Sequence, residues 1–255
     1  MTVGISFLPI AAATFILMFA RLGTMAMLFP GFGERNVPAR VRLAIALMLT
    51  FVLFPLERAA YRPDFSGFGP LLQLLFGELA IGFMLGLSVR IALTAVQIAG
   101  AVIATQLGLG FVTAVDPTQN QQGALMGSFF ALLGITLVFA SDLHHIAIAA
   151  LVNSYAVFTP GLPIVTGDAL ALAVKMVSGA FRIGVQLSAP FLLFGLVFNV
   201  GLGVLARLMP QLQVYFLAMP VSIVAGFAIL LALVGAMMGI YLDFIGGVLG
   251  TLAGR

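Results

Sequence analysis

The chain has 255 residues, of which 62% are hydrophobic and only 7% carry a charged side chain. A soluble domain carries roughly 25% charged residues, so this composition excludes an ordinary water-soluble protein and indicates a membrane protein. The chain contains no cysteine, which excludes disulfides, thiol nucleophiles and cysteine-ligated metals. Its net charge of +3 comes from scattered Lys and Arg without a basic patch, so we expect no nucleic-acid partner.

Polar residues divide the chain into apolar runs, and each run is predicted to form one or more membrane helices. A perpendicular span needs about 20 apolar residues. The runs cover residues 5–32, 41–56, 71–115, 124–157 with a polar interruption at 141–145, 169–208 and 214–252. Several runs exceed one span, so their helices are expected to be long and tilted, or broken, as near Gly108 and Gly110. We expect six to eight helical segments in one all-α polytopic unit.

Basic residues in the connectors predict the orientation of the chain, because positive residues concentrate in cytoplasmic connectors. Arg35, Arg40 and Arg42 follow the first run, and Arg207 lies near the turn before the last run. Both connectors are therefore placed on the cytoplasmic side. The loop at 57–70 has equal acids and bases and is placed on the opposite side.

Ionisable residues inside the apolar runs are the first candidates for function. Such groups are costly in a membrane unless they are paired or hydrated. They form either a proton relay or ion path, or interhelical ion pairs and contacts with a partner subunit, and we favour the second interpretation. The residues are Arg21, Glu78, Arg90, Lys175, Arg182 and Asp243.

No motif indicates an enzyme, a metal site or a cofactor. His144 and His145 are adjacent, so on a helix they point about 100° apart and are not expected to grip one metal together. The zinc-protease pattern H-E-x-x-H is missing. Asp243 would need a second carboxylate to act as an intramembrane protease, and the only other acid nearby, Asp142, is read as a loop residue.

Pairs of glycines spaced four residues apart predict tight helix packing, because two backbones can approach closely at such positions. We therefore expect a tightly packed helical assembly. The pairs are Gly82 and Gly86, Gly123 and Gly127, Gly235 and Gly239, and Gly246 and Gly250.

The segment from Gln106 to Gln122 is the strongest functional candidate on physical grounds. Gly108 and Gly110 loosen the backbone, Phe111 and Val112 follow, and the stretch from 116 to 122 is polar. Irregular backbone at membrane depth is tolerated only where protein or a water-filled cavity surrounds it. The segment is read either as a gate or plug, or as an ordinary exterior loop.

Several stretches, in this order, resemble the FliR family, the flagellar export-gate subunits related to the SctT subunits of virulence-associated type III secretion. The resemblance covers nearly the whole chain, and order and spacing carry it more than any single motif. The stretches are Phe19-Ala20-Arg21-Leu22-Gly23, Pro30-Gly31-Phe32-Gly33, Val37-Pro38-Ala39-Arg40-Val41-Arg42, Gly77-Glu78 with Gly82 and Gly86, Gln106-Leu107-Gly108-Leu109-Gly110, Asp116-Pro117, Ala189-Pro190 with Asn199 and Gly203, Arg207-Leu208-Met209-Pro210-Gln211, and Pro220.

The resemblance implies one FliR-like domain over residues 1–255, in which about 1–208 resemble FliP. Residues from about 209 to 255, with the preceding helix, would form a FliQ-like hairpin. It further implies a non-enzymatic subunit that joins FliP and FliQ in a spiral gate in the inner membrane, within the flagellar basal body. FlhB would associate at the cytoplasmic entrance, and unfolded export substrates would pass through the centre. No cofactor is implied.

Site residues follow from the same resemblance. The plug would comprise Gln106, Gly108, Gly110, Phe111, Val112, Asp116, Pro117, Gln121 and Gln122. The cytoplasmic turn that contacts a partner would comprise Arg207, Pro210, Gln211 and Gln213.

Three alternatives to the flagellar gate remain open at this point. One is an injectisome export-gate subunit, and another is a small-molecule permease with a site at mid-membrane. A permease of that kind is expected to show inverted repeats with paired helix breaks, and the sequence shows no such symmetry. The third, an intramembrane hydrolase, lacks its motifs.

Overall fold

The structure, a computed structural model, describes residues 10–34, 37–61, 68–109, 122–162, 166–209 and 214–254. This part of the chain is all helical, as predicted, and its seven α-helices fall within the expected six to eight. A short 3-10 turn, Arg58–Ala60, follows the second helix. The helices are α1 (Ile10–Leu28), α2 (Ala39–Glu57), α3 (Phe68–Gln106), α4 (Gln122–Ala140), α5 (Leu143–Val157), α6 (Thr166–Leu208) and α7 (Val214–Leu252).

Five of these helices are long and apolar enough to cross a membrane, namely α1, α2, α3, α6 and α7. The pair α4 and α5, separated by a short break, counts as a sixth span if it is taken as one broken helix. The chain is therefore a polytopic membrane protein. Since α3 and α7 each contain 39 residues, each is about 60 Å long, roughly twice the thickness of the hydrocarbon core.

The helix boundaries follow local backbone chemistry. The third run does break, because α3 ends at Gln106 and Gly108 adopts a left-handed φ of 76°. The break between α4 and α5 is shorter than the predicted 141–145, since it contains only Ser141 and Asp142, the latter at φ 58°. Pro38 directly precedes α2 as its N-cap. Helix α6 continues through Pro190.

The chain divides into two compact units. Unit 1 comprises Met1–Ala92, Phe139–Val177 and Ile245–Arg255, and its most buried side chains include Leu17, Met18 and Leu22 of α1. Unit 2 comprises Leu93–Val138 and Ser178–Phe244. Its fully buried side chains include Ile103, Phe130, Phe191 and Tyr241.

The glycine pairs differ in how they pack. A Cβ at Gly86 would lie 2.7 Å from Leu28 Cβ, and Gly82 approaches the backbone of α1 as closely, so this pair is a true helix contact. A Cβ at Gly100 of α3 would lie 2.8 Å from the Gly127 backbone of α4, so Gly127 takes part in a second close helix contact. At Gly235 and Gly239 a Cβ would meet nothing within 4 Å, so the tight helix packing expected of this pair is not found within the described part of the chain.

Candidate functional site

Two of the six ionisable residues in the apolar runs meet inside unit 1. Arg21 of α1 and Glu78 of α3 are 0% and 1% exposed. Arg21 Nε donates to Glu78 Oε2 at 2.5 Å, and Arg21 Nη2 donates to Glu78 Oε1 at 3.0 Å. This paired, parallel geometry is the strongest that a guanidinium and a carboxylate adopt. The structure thus places these two charges in an interhelical ion pair.

The remaining donors of Arg21 cap the C-terminal end of α5. Nη1 donates to the Ser154 carbonyl at 3.1 Å and to Ser154 Oγ at 3.4 Å, and Nη2 donates to the Phe158 carbonyl at 2.9 Å. The Ser154 carbonyl also accepts the Phe158 N–H at 2.8 Å, so it receives two donors. The carbonyl end of a helix carries partial negative charge, so a cation is stabilised there. All five guanidinium N–H groups are therefore used, and one side chain joins α1, α3 and α5.

Two tyrosines complete this cluster. The Tyr61 hydroxyl donates to Glu78 Oε2 at 2.9 Å, and burial raises the pKa of the Tyr61 phenol above its usual range, so that it stays a donor. The Tyr155 ring lies under the guanidinium, with its centroid 4.3 Å from Arg21 Cζ, in a cation–π contact. We call Arg21, Glu78, Tyr61, Ser154 and Tyr155 the Arg21 cluster.

Gly82 brings the two charged helices together. It lies one turn of α3 after Glu78, on the same face. A Cβ built at Gly82 would collide with the Arg21 carbonyl oxygen and lie 3.1 Å from Arg21 Cα. The absence of a side chain at this position allows α3 to pass directly against α1, which sets Glu78 within reach of Arg21.

The sequence did not single out Tyr61, Ser154 or Tyr155. Tyrosine occurs only four times in the chain, and Tyr61, Tyr155 and Tyr241 are 7%, 3% and 0% exposed. The scarcity of tyrosine, an aromatic residue with a polar tip, was the available signal. A buried tyrosine hydroxyl usually finds a hydrogen-bond partner, as that of Tyr61 does here.

A second site, at the C-terminal end of α3 in unit 2, includes the first residues of the predicted plug. Gly108 N donates to the Thr105 carbonyl at 3.2 Å, and Leu109 N donates to the Ala104 carbonyl at 3.1 Å. With Gly108 left-handed, this is a Schellman cap, which ends a helix at a defined residue. Leu107 is fully buried, and its carbonyl oxygen lies 3.3 Å from Ser222 Oγ of α7, whose one proton it shares with the Met219 carbonyl at 2.9 Å.

Four further charged candidates, and Arg207 of the predicted cytoplasmic turn, are not brought into either site. Arg90, Lys175, Arg182 and Asp243 lie exposed on the surface of the chain, as does Arg207 in the last turn of α6. Gln106 is half-buried at the end of α3, and Gln122 begins α4. The remaining plug and turn residues lie outside the described residues: Gly110, Phe111, Val112, Asp116, Pro117, Gln121, Pro210, Gln211 and Gln213.

The break between α4 and α5 gathers a group that sequence reasoning did not anticipate. Asp142, His144 and His145 each offer a ligand atom within 4.8 Å of the others, and the two imidazole rings lie 4.1 Å apart. Adjacent histidines were expected to diverge, but Asp142, just before the helix, reaches His145 at 3.5 Å. The group lies at a helix N-terminus, whose partial positive charge opposes a cation.

Comparison with known proteins gives a consistent answer over most of the chain. Residues 12–248 match the family described as bacterial export proteins, family 1. The chain is 40% identical to the flagellar biosynthetic protein FliR of Caulobacter vibrioides over 214 residues, covering 84% of this chain and 85% of that protein. It is 32% identical to FliR of Escherichia coli, covering 80% and 77% of the two chains, and 29% identical to FliR of Bacillus subtilis, covering 85% and 84%.

The order of the resembling stretches, the set of long apolar helices and the match from residue 12 to residue 248 agree with one another. The chain belongs to the FliR family of bacterial export proteins.

Proposed function

We propose that the chain is a component of the export gate of the flagellar type III secretion apparatus, through which unfolded flagellar proteins leave the cell. The observation that carries this is the family match across residues 12–248, supported by relatives that are named flagellar biosynthetic proteins. The six possible membrane spans support a location in the inner membrane, within the flagellar basal body.

The partners in this proposal are FliP and FliQ subunits in a hetero-oligomeric gate, with FlhB at its cytoplasmic entrance. The surface of the chain supports the need for protein partners. Arg182 lies exposed in the middle of an apolar helix, a placement that costs about 2.5–3.5 kcal/mol in lipid, and no partner for it is found among the described residues. A neighbouring subunit with an acidic or polar surface would remove that cost.

The length of the helices supports the same conclusion. Tilts of membrane helices reach about 40°, at which a helix of about 60 Å still extends about 46 Å along the membrane normal. This exceeds a hydrocarbon core of about 30 Å, so part of the apolar surface of α3, α6 and α7 lies beyond the lipid tails. Other protein subunits are the natural cover for that surface.

Within this gate, we assign the segment from Gln106 to Gln122 to the plug that closes the channel at rest, and Arg207 to Gln213 to a cytoplasmic turn. The defined end of α3 at Leu107 and Gly108 supports a fixed departure point for the plug. Apolar residues such as Phe111 and Val112 suit a constriction that excludes water. We also propose that residues 1–208 form a FliP-like part and that residues from about 209 to 255, with the preceding helix, form a FliQ-like hairpin.

No observation favours the other candidate functions. An injectisome subunit is expected to resemble injectisome proteins first, whereas the matched relatives are flagellar. A permease is expected to hold a polar site within one chain. The buried polar cluster described in unit 1 has all guanidinium donors of Arg21 used within the protein, which leaves them no capacity for a substrate.

A complementation experiment tests the export function. The chain is expressed in a flagellated host that lacks its own FliR, and swimming motility and secretion of flagellar proteins are measured. Expected is recovery of both, with no recovery from a chain in which Glu78→Ala breaks the ion pair. Assembly of the other basal-body proteins without any secretion in the presence of the intact chain would contradict the proposal.

A deletion of residues 111–122 tests the plug. In cells that hold the assembled gate, the deletion is expected to let small solutes and ions leak across the inner membrane, while the intact chain keeps the barrier. The matched control is the same deletion in cells without FliP and FliQ, where no gate forms. Unchanged permeability with normal gate assembly would contradict the plug assignment.

A further inference from the structure

Gln106, the last residue of α3, lies over a glycine of α6. A Cβ built at Gly195 would collide with Gln106 Oε1 and would lie 2.9 Å from Gln106 Cδ. Gly195 is buried, and its carbonyl accepts a hydrogen bond from Asn199 Nδ2 at 2.8 Å. The missing side chain at position 195 therefore forms a notch that receives the Gln106 amide.

Leu107, the next residue, fills a second notch on a different helix. A Cβ built at Gly226 of α7 would collide with Leu107 Cδ2 and would lie 2.9 Å from Leu107 Cγ. The Oγ of Ser222, one turn earlier on α7, lies 3.3 Å from the Leu107 carbonyl oxygen and shares its one proton between that oxygen and the Met219 carbonyl at 2.9 Å. Helix α7 thus contacts both the side chain and the backbone carbonyl of Leu107.

These contacts occur at a junction in the backbone. Gly108, directly after Leu107, has φ 76°, a conformation in which only glycine is unstrained. Gln106 and Leu107, the two residues before Gly108, contact α6 and α7 respectively, and α3 ends at this point. Ordinary packing requires no such coincidence of two notches with a helix end.

We propose that Gly195 and Gly226 are positioning residues that fix the root of the plug, defined as Gln106 and Leu107. This rests on the proposed plug function of the segment that follows. Steric fit to α6 and α7 determines where the plug leaves α3. A methyl group added at Gly226 meets the fully buried Leu107 side chain, and one added at Gly195 meets the half-buried Gln106 amide, so each change acts on the root and alters no residue of the segment that follows it.

The test uses the assembled gate in cells and four alanine variants. Gly195→Ala and Gly226→Ala add a methyl group inside the notches, whereas Gly201→Ala on α6 and Gly235→Ala on α7 add one where nothing lies within 4 Å. All four changes raise helix propensity equally. Expected is a rise in ion leak, or a loss of secretion, for the two notch variants relative to the two controls. Behaviour of the notch variants equal to that of the controls overturns the proposal.

Paired substitutions separate positioning from general damage to packing. Leu107→Ala in the Gly226→Ala background removes the atoms that collide, and Gln106→Ala does the same in the Gly195→Ala background. We expect each double variant to restore the ion barrier and secretion relative to the corresponding single notch variant. If a notch variant fails to assemble, the corresponding double variant is the test. Recovery of both assembly and the ion barrier in the double variant supports the proposal. Continued failure to assemble, or assembly without the ion barrier, overturns it.

Deletion of residues 111–122 in parallel distinguishes this proposal from the plug assignment on which it rests. A deletion that leaks, beside notch variants that match their controls, overturns only the positioning role. A deletion that does not leak in an assembled gate overturns the plug assignment, and the positioning role falls with it.

Discussion

Arg21 and Glu78 are 57 residues apart in the sequence and share two parallel hydrogen bonds in the interior of unit 1. The pair is also the point at which α5 is attached, since the same guanidinium binds the carbonyls of Ser154 and Phe158. Removal of either charge therefore has consequences for three helices, which makes the pair a direct subject for mutation.

The first prediction concerns Glu78→Ala. Removing one member of a buried ion pair leaves an uncompensated charge and costs about 3–5 kcal/mol. We expect a lower apparent melting temperature of the purified chain in detergent and a loss of gate assembly, with little change in the pH dependence of whatever export remains. Arg90→Ala on the same helix, at an exposed position, is the control for the melting temperature of the isolated chain. Normal assembly with an altered pH dependence would favour a proton relay.

The second prediction concerns the pair as a unit. Replacing both charges, with Arg21→Met and Glu78→Met, removes the uncompensated charge, and buried ion pairs exchanged for apolar residues are often close to neutral. The double variant loses the cap on α5, so we expect it to be less stable than the wild type but more stable than Glu78→Met alone. Melting of the three variants in the same detergent gives the order, and a double variant less stable than Glu78→Met would contradict the account.

The third prediction concerns Gly82→Ala. The new methyl group would meet backbone atoms of Arg21, which cannot move aside as a side chain can. Overpacking of this kind costs about 1–3 kcal/mol and would separate α1 from α3. Gly77→Ala, where a Cβ meets nothing within 4 Å, is the matched control on α3 and gains up to about 1 kcal/mol of helix propensity. Equal melting temperatures for the two variants would refute the close contact.

The fourth prediction concerns Tyr61→Phe. The change removes a hydrogen bond to the Glu78 carboxylate, and hydrogen bonds to charged groups contribute about 1.5–3 kcal/mol. Tyr241→Phe is the control, because the buried Tyr241 hydroxyl has no hydrogen-bond partner among the described residues. We expect Tyr61→Phe to lower the free energy of unfolding and Tyr241→Phe to leave it unchanged or raise it. A larger loss for Tyr241→Phe would contradict the assignment of the donor.

The fifth prediction concerns Arg182→Leu. Because Arg182 lies exposed and has no partner within the described part of the chain, its removal is expected to change the free energy of unfolding of the isolated chain by less than about 0.5 kcal/mol. The yield of the complex with FliP and FliQ is expected to fall. Loss of stability in the isolated chain, with normal complex yield, would place the role of Arg182 inside the chain.

The sequence predicts the helices well because hydrophobic length is a strong signal. The last run was predicted at residues 214–252, and α7 is Val214–Leu252. A break near Gly108 and Gly110 was one of two alternatives for the third run, beside a long tilted helix, and the structure shows a 39-residue helix that ends at Gln106. The length of the break between α4 and α5 was overestimated. One left-handed residue, Asp142, separates the two helices, and His144 and His145 already belong to α5.

The partners of the interior charges could not be predicted from the sequence. Arg21 and Glu78 look no different from Arg90 or Arg182 in their apolar surroundings, and only the contact of α1 with α3 at Gly82 separates the two groups. The notches at Gly195 and Gly226 are similarly invisible, since Gly201 and Gly235 on the same helices lie in the open. Pairing and fit depend on contacts between residues far apart in the chain.

The mass of the purified assembly tests the central claim most directly. The tagged chain is expressed with and without FliP and FliQ, extracted gently, and analysed by native mass spectrometry. We predict one discrete hetero-oligomer that contains all three proteins in the co-expressed preparation, and a chain with a lower melting temperature when FliP and FliQ are absent. A stable, monodisperse single chain in both preparations, with no FliP or FliQ bound, would contradict it.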